Sequence, residues 1–326
     1  MDGFENFTTE GNVRFLDCHP KPADFFGEVI EGLGGEQKVI PPKFFYDQTG
    51  SQLFDAICRL EEYYPTRTEV KILRDNLDDV VATIGQYCYL IEPGSGSCDK
   101  VRLMLDSLRP SAYMPLDISK DHLLNACHRL CEDFPWLDVH AVCIDFTDDL
   151  TLPEPPKSLR RVAFFPGSSI GNFEPADAVT FLHDLGLAVG PGGGVLIGVD
   201  LKKDPEVLHA AYNDGEGVTA AFNKNLLTRI NDELGADFEI SAFDHKAFYN
   251  RADGRVEMHL ESLAAQTVQI GDAAFKFAQG ETIHTENSYK YTLLEFQRMA
   301  EWAGLHLVRS WTDPDQLFSI HFLDVR

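Results

Sequence analysis

YCYLIEPGSGSCDK occupies residues 87–100 of the chain. Tyr87 to Ile91 form an apolar, aromatic run with the length and residue types of a buried strand. Gly94 and Gly96 interrupt it, and Val101 to Leu108 carry apolar residues at helical spacing. A strand, a glycine turn and a helix in that order make a nucleotide-type site. Glycine lets the backbone approach a ligand closely, and a helix N-terminus offers unpaired N–H groups. The dinucleotide fingerprint asks for a third glycine three residues after the second, where this chain has Asp99. Glu92 precedes the turn, an awkward place for a carboxylate beside a pyrophosphate. An acid beside a short G-x-G suits a ligand with a cationic end and a ribose. S-adenosylmethionine (SAM), with its ammonium and sulfonium, is such a ligand. Read alone, the segment fits a methyl-donor cradle or a plain turn.

Strands and helices alternate onward from this loop. Ala112–Asp117 reads as a second strand, and Asp117 lies 25 residues after Glu92, where such folds place a carboxylate on the ribose hydroxyls. Ser119 caps a helix to about Cys131. Val139–Ile144 is a third strand with Asp145-Phe146 at its end, an acid and an aromatic suited to an adenine. Arg161–Pro166 is a fourth, followed by the loop Gly167–Phe173 and a helix from Pro175 to Val189. Val195–Leu201 is a fifth. This pattern predicts an α/β fold with a doubly wound sheet.

The alternation stops near Lys202. Helices at Leu208–Tyr212 and Val218–Leu234, then antiparallel strands at 238–249 and 256–270, predict an inserted lobe. A helix at Leu293–Ala303 and strands at His306–Trp311 and Leu317–Val325 return to the sheet. At the other end, a helix is expected from Pro22 to Leu33 and another from Ser51, with a loop at Tyr63–Glu69 in which Thr68 caps the helix that follows.

The chain has 326 residues, with 28 Lys plus Arg against 52 Asp plus Glu, a formal charge of −24. Such a field repels phosphate backbones, so no nucleic-acid partner is expected. No apolar run approaches the roughly 20 residues of a membrane helix, and Met1–Asn6 lacks the features of a signal peptide. Seven cysteines, an odd number spread through predicted core segments, point to reduced thiols and a cytoplasmic protein. Cys127-His128-x-x-Cys131, near His122, lacks a second ligand pair at zinc spacing, and the chain is expected to hold no metal.

Nine segments then combine: PPKFFYD (41–47), EYYPTRTE (62–69), GSGSCDK (94–100), DF (145–146), GSSIGN (167–172), AAYND (210–214), VTAAFNKN (218–225), VEMHL (256–260) and TENS (285–288). In this order they resemble the ergothioneine-pathway histidine Nα-methyltransferases over nearly the whole chain. The resemblance implies a Rossmann-like class I methyltransferase sheet with a second α+β lobe. Residues 68–202 plus 290–326 would bind SAM, and 8–67 plus 203–289 would bind the amino acid. It implies a donor site of Gly94, Lys100, Asp117, Asp145 and Phe146, lined by Gly167 and Ser168. For the histidine site it implies Tyr63, Asn172, Tyr212, Met258, Glu286 and Ser288, with Tyr46 beside the reacting amine. The implied reaction is trimethylation of the α-amino group of L-histidine to hercynine, by a monomer.

The residue types suit that chemistry. Methyl transfer from a sulfonium is a direct displacement that needs a neutral amine in line with the S–CH3 bond, and acceptors such as the Asn172 amide and the Tyr46 or Tyr63 hydroxyl would orient it. Glu286 and Ser288 can meet both imidazole nitrogens, whereas an indole or phenyl would leave them unpaired. Taken singly, Glu286 reads as a surface acid, Met258 as core and Tyr212 as packing. Related methyltransferases of ergot-alkaloid biosynthesis accept a prenylated tryptophan, which is the alternative substrate. A non-catalytic SAM- or amino-acid-binding protein is the alternative from another class, and it would be expected to lose Asn172 or the tyrosines.

Overall fold

A computed structural model describes residues 7–10, 13–18, 25–147, 150, 152 and 159–326. Met1–Asn6 and the expected helix start at Pro22 lie outside them. The described residues fall into two compact units, one drawn from 1–20, 65–202 and 290–326 and the other from 21–64 and 203–289.

The first unit is built on a nine-stranded sheet. Its middle runs Val13–Asp17, Val139–Cys143, Ala112–Asp117, Tyr89–Pro93, Arg161–Phe165 and Gly194–Asp200, all parallel. Phe318–Asp324 and His306–Thr312 add an antiparallel pair at one edge, and Thr8–Glu10 closes the other. Tyr89–Pro93 and Val139–Cys143 are buried at every position, as parallel strands covered on both faces must be. From Tyr89–Pro93 the chain steps outward through Ala112–Asp117 to Val139–Cys143, then returns to the opposite side at Arg161–Phe165. That reversal leaves a crevice at the carboxyl ends of Tyr89–Pro93 and Arg161–Phe165, the switch point where such sheets take ligands.

Val13–Asp17 corrects the expected division of the chain. Its pairing with Val139–Cys143 places it in this sheet, whereas the expected division puts residues 8–67 in the other lobe. The expected loop at Tyr63–Glu69 is also helical, since the helix runs Tyr64–Asp75. Pro65 falls in its first turn, where a missing N–H costs nothing, and Thr68 is a buried helical residue and not a cap.

The second unit has a four-stranded sheet ordered Lys38–Val39, Thr282–Tyr289, Arg255–Ser262, Phe243–Asn250. A separate hairpin pairs Gln266–Ile270 with Ala273–Phe277, so the single long strand expected at 256–270 is two strands in two sheets. Helices Phe25–Gly34, Gln48–Ile57, Pro205–Tyr212 and Val218–Leu234 accompany them. Caps fix two of these helices. Asp214 accepts from Val218 N and Thr219 N, each at 2.8 Å. Asp47 accepts from Gly50 N at 2.6 Å and from Asn225 Nδ2 at 2.9 Å. Gly50 lies so close to the Phe45 carbonyl that a Cβ would sit 1.7 Å from its oxygen. Among the described residues no helix is long and apolar enough to cross a membrane.

Asp47→Ala removes a cap and should cost about 1–2 kcal/mol. Gly50→Ala should cost more, because the obstacle is backbone. Urea unfolding of the two variants checks the ranking, and equal midpoints would refute it.

Candidate active site

In the first unit, the predicted donor residues gather where the parallel strands end. Gly94 and Gly96 take φ values of 67° and 51°, a region that favours glycine. Asp117 Oδ2 accepts from Gly96 N at 2.9 Å and Oδ1 from Ser119 N at 2.9 Å, so this carboxylate pins the glycine turn to the neighbouring strand. Phe146 lies over Gly94, its ring carbons 3.3 and 3.4 Å from where a Cβ would stand. Asp145 is buried, and its Oδ1 accepts from Thr147 N at 3.0 Å and Thr147 Oγ1 at 2.5 Å. Ser168 adopts φ 58°, and its Oγ accepts from Asp200 N at 2.8 Å. Asn172 ends the short turn Ser169–Asn172 just beyond it and is half-buried.

One residue outside the predicted set organises this region. Glu69, with no exposed surface, pairs with Lys100 Nζ at 2.6 Å and accepts from Gly167 N at 3.0 Å through both oxygens. Its carboxylate lies over the sheet where Gly198 leaves room, since a Cβ there would fall 2.0 Å from Glu69 Oε1. Glu92 proves different from its sequence reading. It is buried, accepts from Tyr113 Oη at 2.5 Å, and burial holds its carboxyl well above the usual range. Its hydrogen bond to Tyr113 ties it to the neighbouring strand Ala112–Asp117.

The second unit holds Tyr46, Tyr63, Tyr212, Met258, Glu286 and Ser288. Tyr46 and Tyr63 are half-buried, and both pack edge-on to Phe54, at 5.9 and 6.5 Å between ring centroids. Tyr63 in turn meets Tyr212 at 6.3 Å. Tyr212 Oη donates to Ser288 Oγ at 2.8 Å, a buried bond. His245 Nε2 donates to the Tyr212 carbonyl at 2.8 Å and its Nδ1 accepts from Asn223 Nδ2 at 2.9 Å, which holds the end of helix Pro205–Tyr212. Met258 stands opposite Glu286 in the strand pairing, with Ser288 two residues along. The structure thus joins the three tyrosines through rings, and Tyr212 to Ser288 through a hydrogen bond. Asn172 belongs to the first unit with Gly167 and Ser168.

A sequence model described as histidine-specific methyltransferase, SAM-dependent, matches residues 25–325. The chain belongs to this family. A histidine N-alpha-methyltransferase of Mycolicibacterium smegmatis is 41% identical over 293 residues, covering 88% of this chain and 90% of that one. Ergothioneine biosynthesis protein 1 of Neurospora crassa is 31% identical over 294 residues, which are 87% of this chain and 33% of that longer protein. A solved SAM-dependent methyltransferase from Clostridium acetobutylicum shares the fold at a TM-score of 0.50 and 10% identity, over 85% of this chain and 98% of that one.

Glu69 and Lys290, both in buried ion pairs, carry no role that local sequence reveals. Glu69 closes the segment EYYPTRTE (62–69), but its partner Gly167 is 98 positions away. Lys290 lies two residues past Ser288, which ends the TENS segment, and carries no local signal of its role. It is wholly buried in an ion pair with Asp200 at 3.0 Å, at the end of strand Gly194–Asp200. A buried acid pointing at no neighbouring base in sequence is a usable signal, but only for a charged residue within an apolar helical face, as Glu69 is beside Ile72 and Leu73.

Glu69→Gln keeps the shape and removes the charge facing Lys100. Donor affinity should fall by roughly tenfold or more, since half of a buried pair is lost, while KM for the acceptor stays unchanged. Calorimetric titration with SAM reads this, and an unchanged Kd would rule it out. Glu92→Gln tests the buried acid. A raised native pKa means that the stability held below about pH 4.3 is lost as pH rises toward the native value. The variant should therefore resist urea better than the parent at pH 8, with the difference fading toward pH 4. Parallel curves at the two pH values would refute the assignment.

Proposed function

We propose that this chain transfers methyl groups from SAM to the α-amino nitrogen of L-histidine, three in succession, forming hercynine for ergothioneine biosynthesis. The observation that carries this reading is family membership over residues 25–325. The ergothioneine and histidine Nα-methyltransferase names of the relatives support the pathway and the acceptor atom.

Gly94, Gly96 and Lys100 form the loop that would cradle SAM, Asp117 would face its ribose, Asp145 and Phe146 its adenine, and Gly167 and Ser168 would line the rest. The fit rests on the close approach over Gly94, where a side chain would meet Phe146. Glu286 and Ser288 would meet the imidazole nitrogens, with Met258 as an adaptable wall. Tyr212, already tied to Ser288, would serve the substrate carboxylate. Tyr46, Tyr63 and Asn172 would orient the amine.

Each round breaks the S–CH3 bond, whose electron pair stays on sulfur, and forms an N–CH3 bond from the nitrogen lone pair. The amine must give up a proton before every round, three protons in all, and S-adenosylhomocysteine leaves as a neutral thioether. Alignment supplies most of what this displacement needs, roughly 7–11 kcal/mol in well-oriented cases. Acid–base chemistry is confined to the amine proton, and the hydroxyls of Tyr46 and Tyr63 are the groups assigned to it.

Incubation with labelled SAM and each of the twenty amino acids should give mass gains of one, two and three methyls on histidine alone. Transfer to tryptophan or its prenylated form in place of histidine would overturn the reading. Tyr46→Phe or Tyr63→Phe should lower kcat by roughly a hundredfold. Full turnover by both across the pH profile would remove their role in proton transfer.

A further inference from the structure

We propose that Glu257, His259 and His284 form a binding site for a single zinc-class divalent cation, on the face of the second unit's sheet opposite Met258 and Glu286. Strand alternation puts Glu257 and His259 on one face and Met258 on the other. Arg255–Ser262 pairs antiparallel with Thr282–Tyr289, and Met258 faces Glu286. An unbroken ladder would next set His259 opposite Thr285. The register shifts at that step, and His259 faces His284 instead. Thr285 is the surplus residue, buried with its hydroxyl 2.8 Å from Asn223 Oδ1 and 3.0 Å from the Met258 carbonyl. A bulge of this kind re-aims a side chain, and here it brings a second imidazole to the first.

The two rings stack at 4.5 Å between centroids, 12° from parallel, and Phe248 stacks on His259 at 5.4 Å. One ligating atom from each of Glu257, His259 and His284 lies within 4.8 Å of the others. Hydrogen bonds fix which atoms these residues offer. His284 Nε2 is 3.1 Å from the Glu286 carbonyl, which only accepts, so Nε2 carries the proton and Nδ1 the lone pair. Glu257 Oε1 is held by Asn250 Nδ2 at 2.9 Å and Arg255 Nε at 2.8 Å, while Oε2 faces His259 Nε2 at 3.0 Å. His259 Nδ1 is 3.2 Å from Thr282 Oγ1, a hydroxyl that can donate or accept. A cation can therefore take the place of the Nε2 proton, with Nδ1–H then donating to Thr282. The partners that orient each ligand are in place. Two imidazoles and a carboxylate suit zinc and neighbouring transition ions, and not calcium or magnesium, which need oxygen ligands. Water would complete the shell, and the ion would clip the two strands together.

The test uses the full chain, stripped with a chelator and dialysed against zinc. A single zinc ion per chain should be retained by mass spectrometry of the metal, and the thermal midpoint should rise with zinc concentration. His259→Asn and His284→Asn should each weaken zinc binding by roughly tenfold or more. Should either fail to fold by circular dichroism, Glu257→Gln carries the same comparison. Cobalt substitution should give ligand-field bands without intense thiolate charge transfer. No zinc retained, zinc retained undiminished in the variants, or a thiolate band abolished by Cys131→Ser would each overturn the proposal.

Discussion

A carboxylate with no exposed surface is costly unless every lone pair it presents is met. Glu69 meets this demand with Lys100 Nζ and the Gly167 N–H, and so ties together two loops that follow different strands of the sheet. Neither loop can leave without stranding a buried charge. Lys100 ends the glycine loop and Gly167 begins the one after Arg161–Phe165, so the pair spans the switch point where the order of parallel strands reverses. Asp117 does the same on the other side by binding Gly96 N. The glycine turn is thus held from outside by acids of a helix and a strand, while its own Gly94 and Gly96 supply the positive φ values it needs.

That arrangement explains why so little acid–base machinery is needed around the donor. Methyl transfer gains mainly from position, and position is what buried ion pairs and backbone-bonded carboxylates supply. Lys290 with Asp200, and Ser168 with Asp200 N, extend the same logic to the next strand. Polar groups here are spent on fixing loops. Glu92, buried and bonded to Tyr113, is part of that scaffolding although its place before the glycines suggested a ligand contact.

The parallel sheet was legible because its strands are continuous apolar runs closed by acids or glycines, a pattern set by burial on both faces. The glycine turn followed from its glycine spacing, and Asp117 and Asp145 from their places at strand ends. Thr282–Tyr289 was not legible as a strand. Its buried positions include Thr285 and Ser288, so polar residues occupy the face that an apolar alternation would have marked. Val13–Asp17 was hidden for another reason, since a five-residue edge-side strand carries too few positions to show a period. Glu69 was invisible because its role is defined by a partner distant in sequence.

Thr282–Tyr289 shows how one irregularity distributes chemistry between two faces. Before the bulge, Ser288 and Glu286 share a side with Met258, and Tyr212 fixes Ser288 there. After it, His284 joins His259 and Glu257 on the other. Without the extra residue His284 would lie on the side of Glu286, and a second titratable group would crowd the acid and hydroxyl assigned to the imidazole. Thr285 is buried and bonded to Asn223 of helix Val218–Leu234, so the bulge is anchored by tertiary contacts and not by the strand pair alone. The helix that carries Phe222 against Tyr46 therefore also fixes the register that presents Glu286.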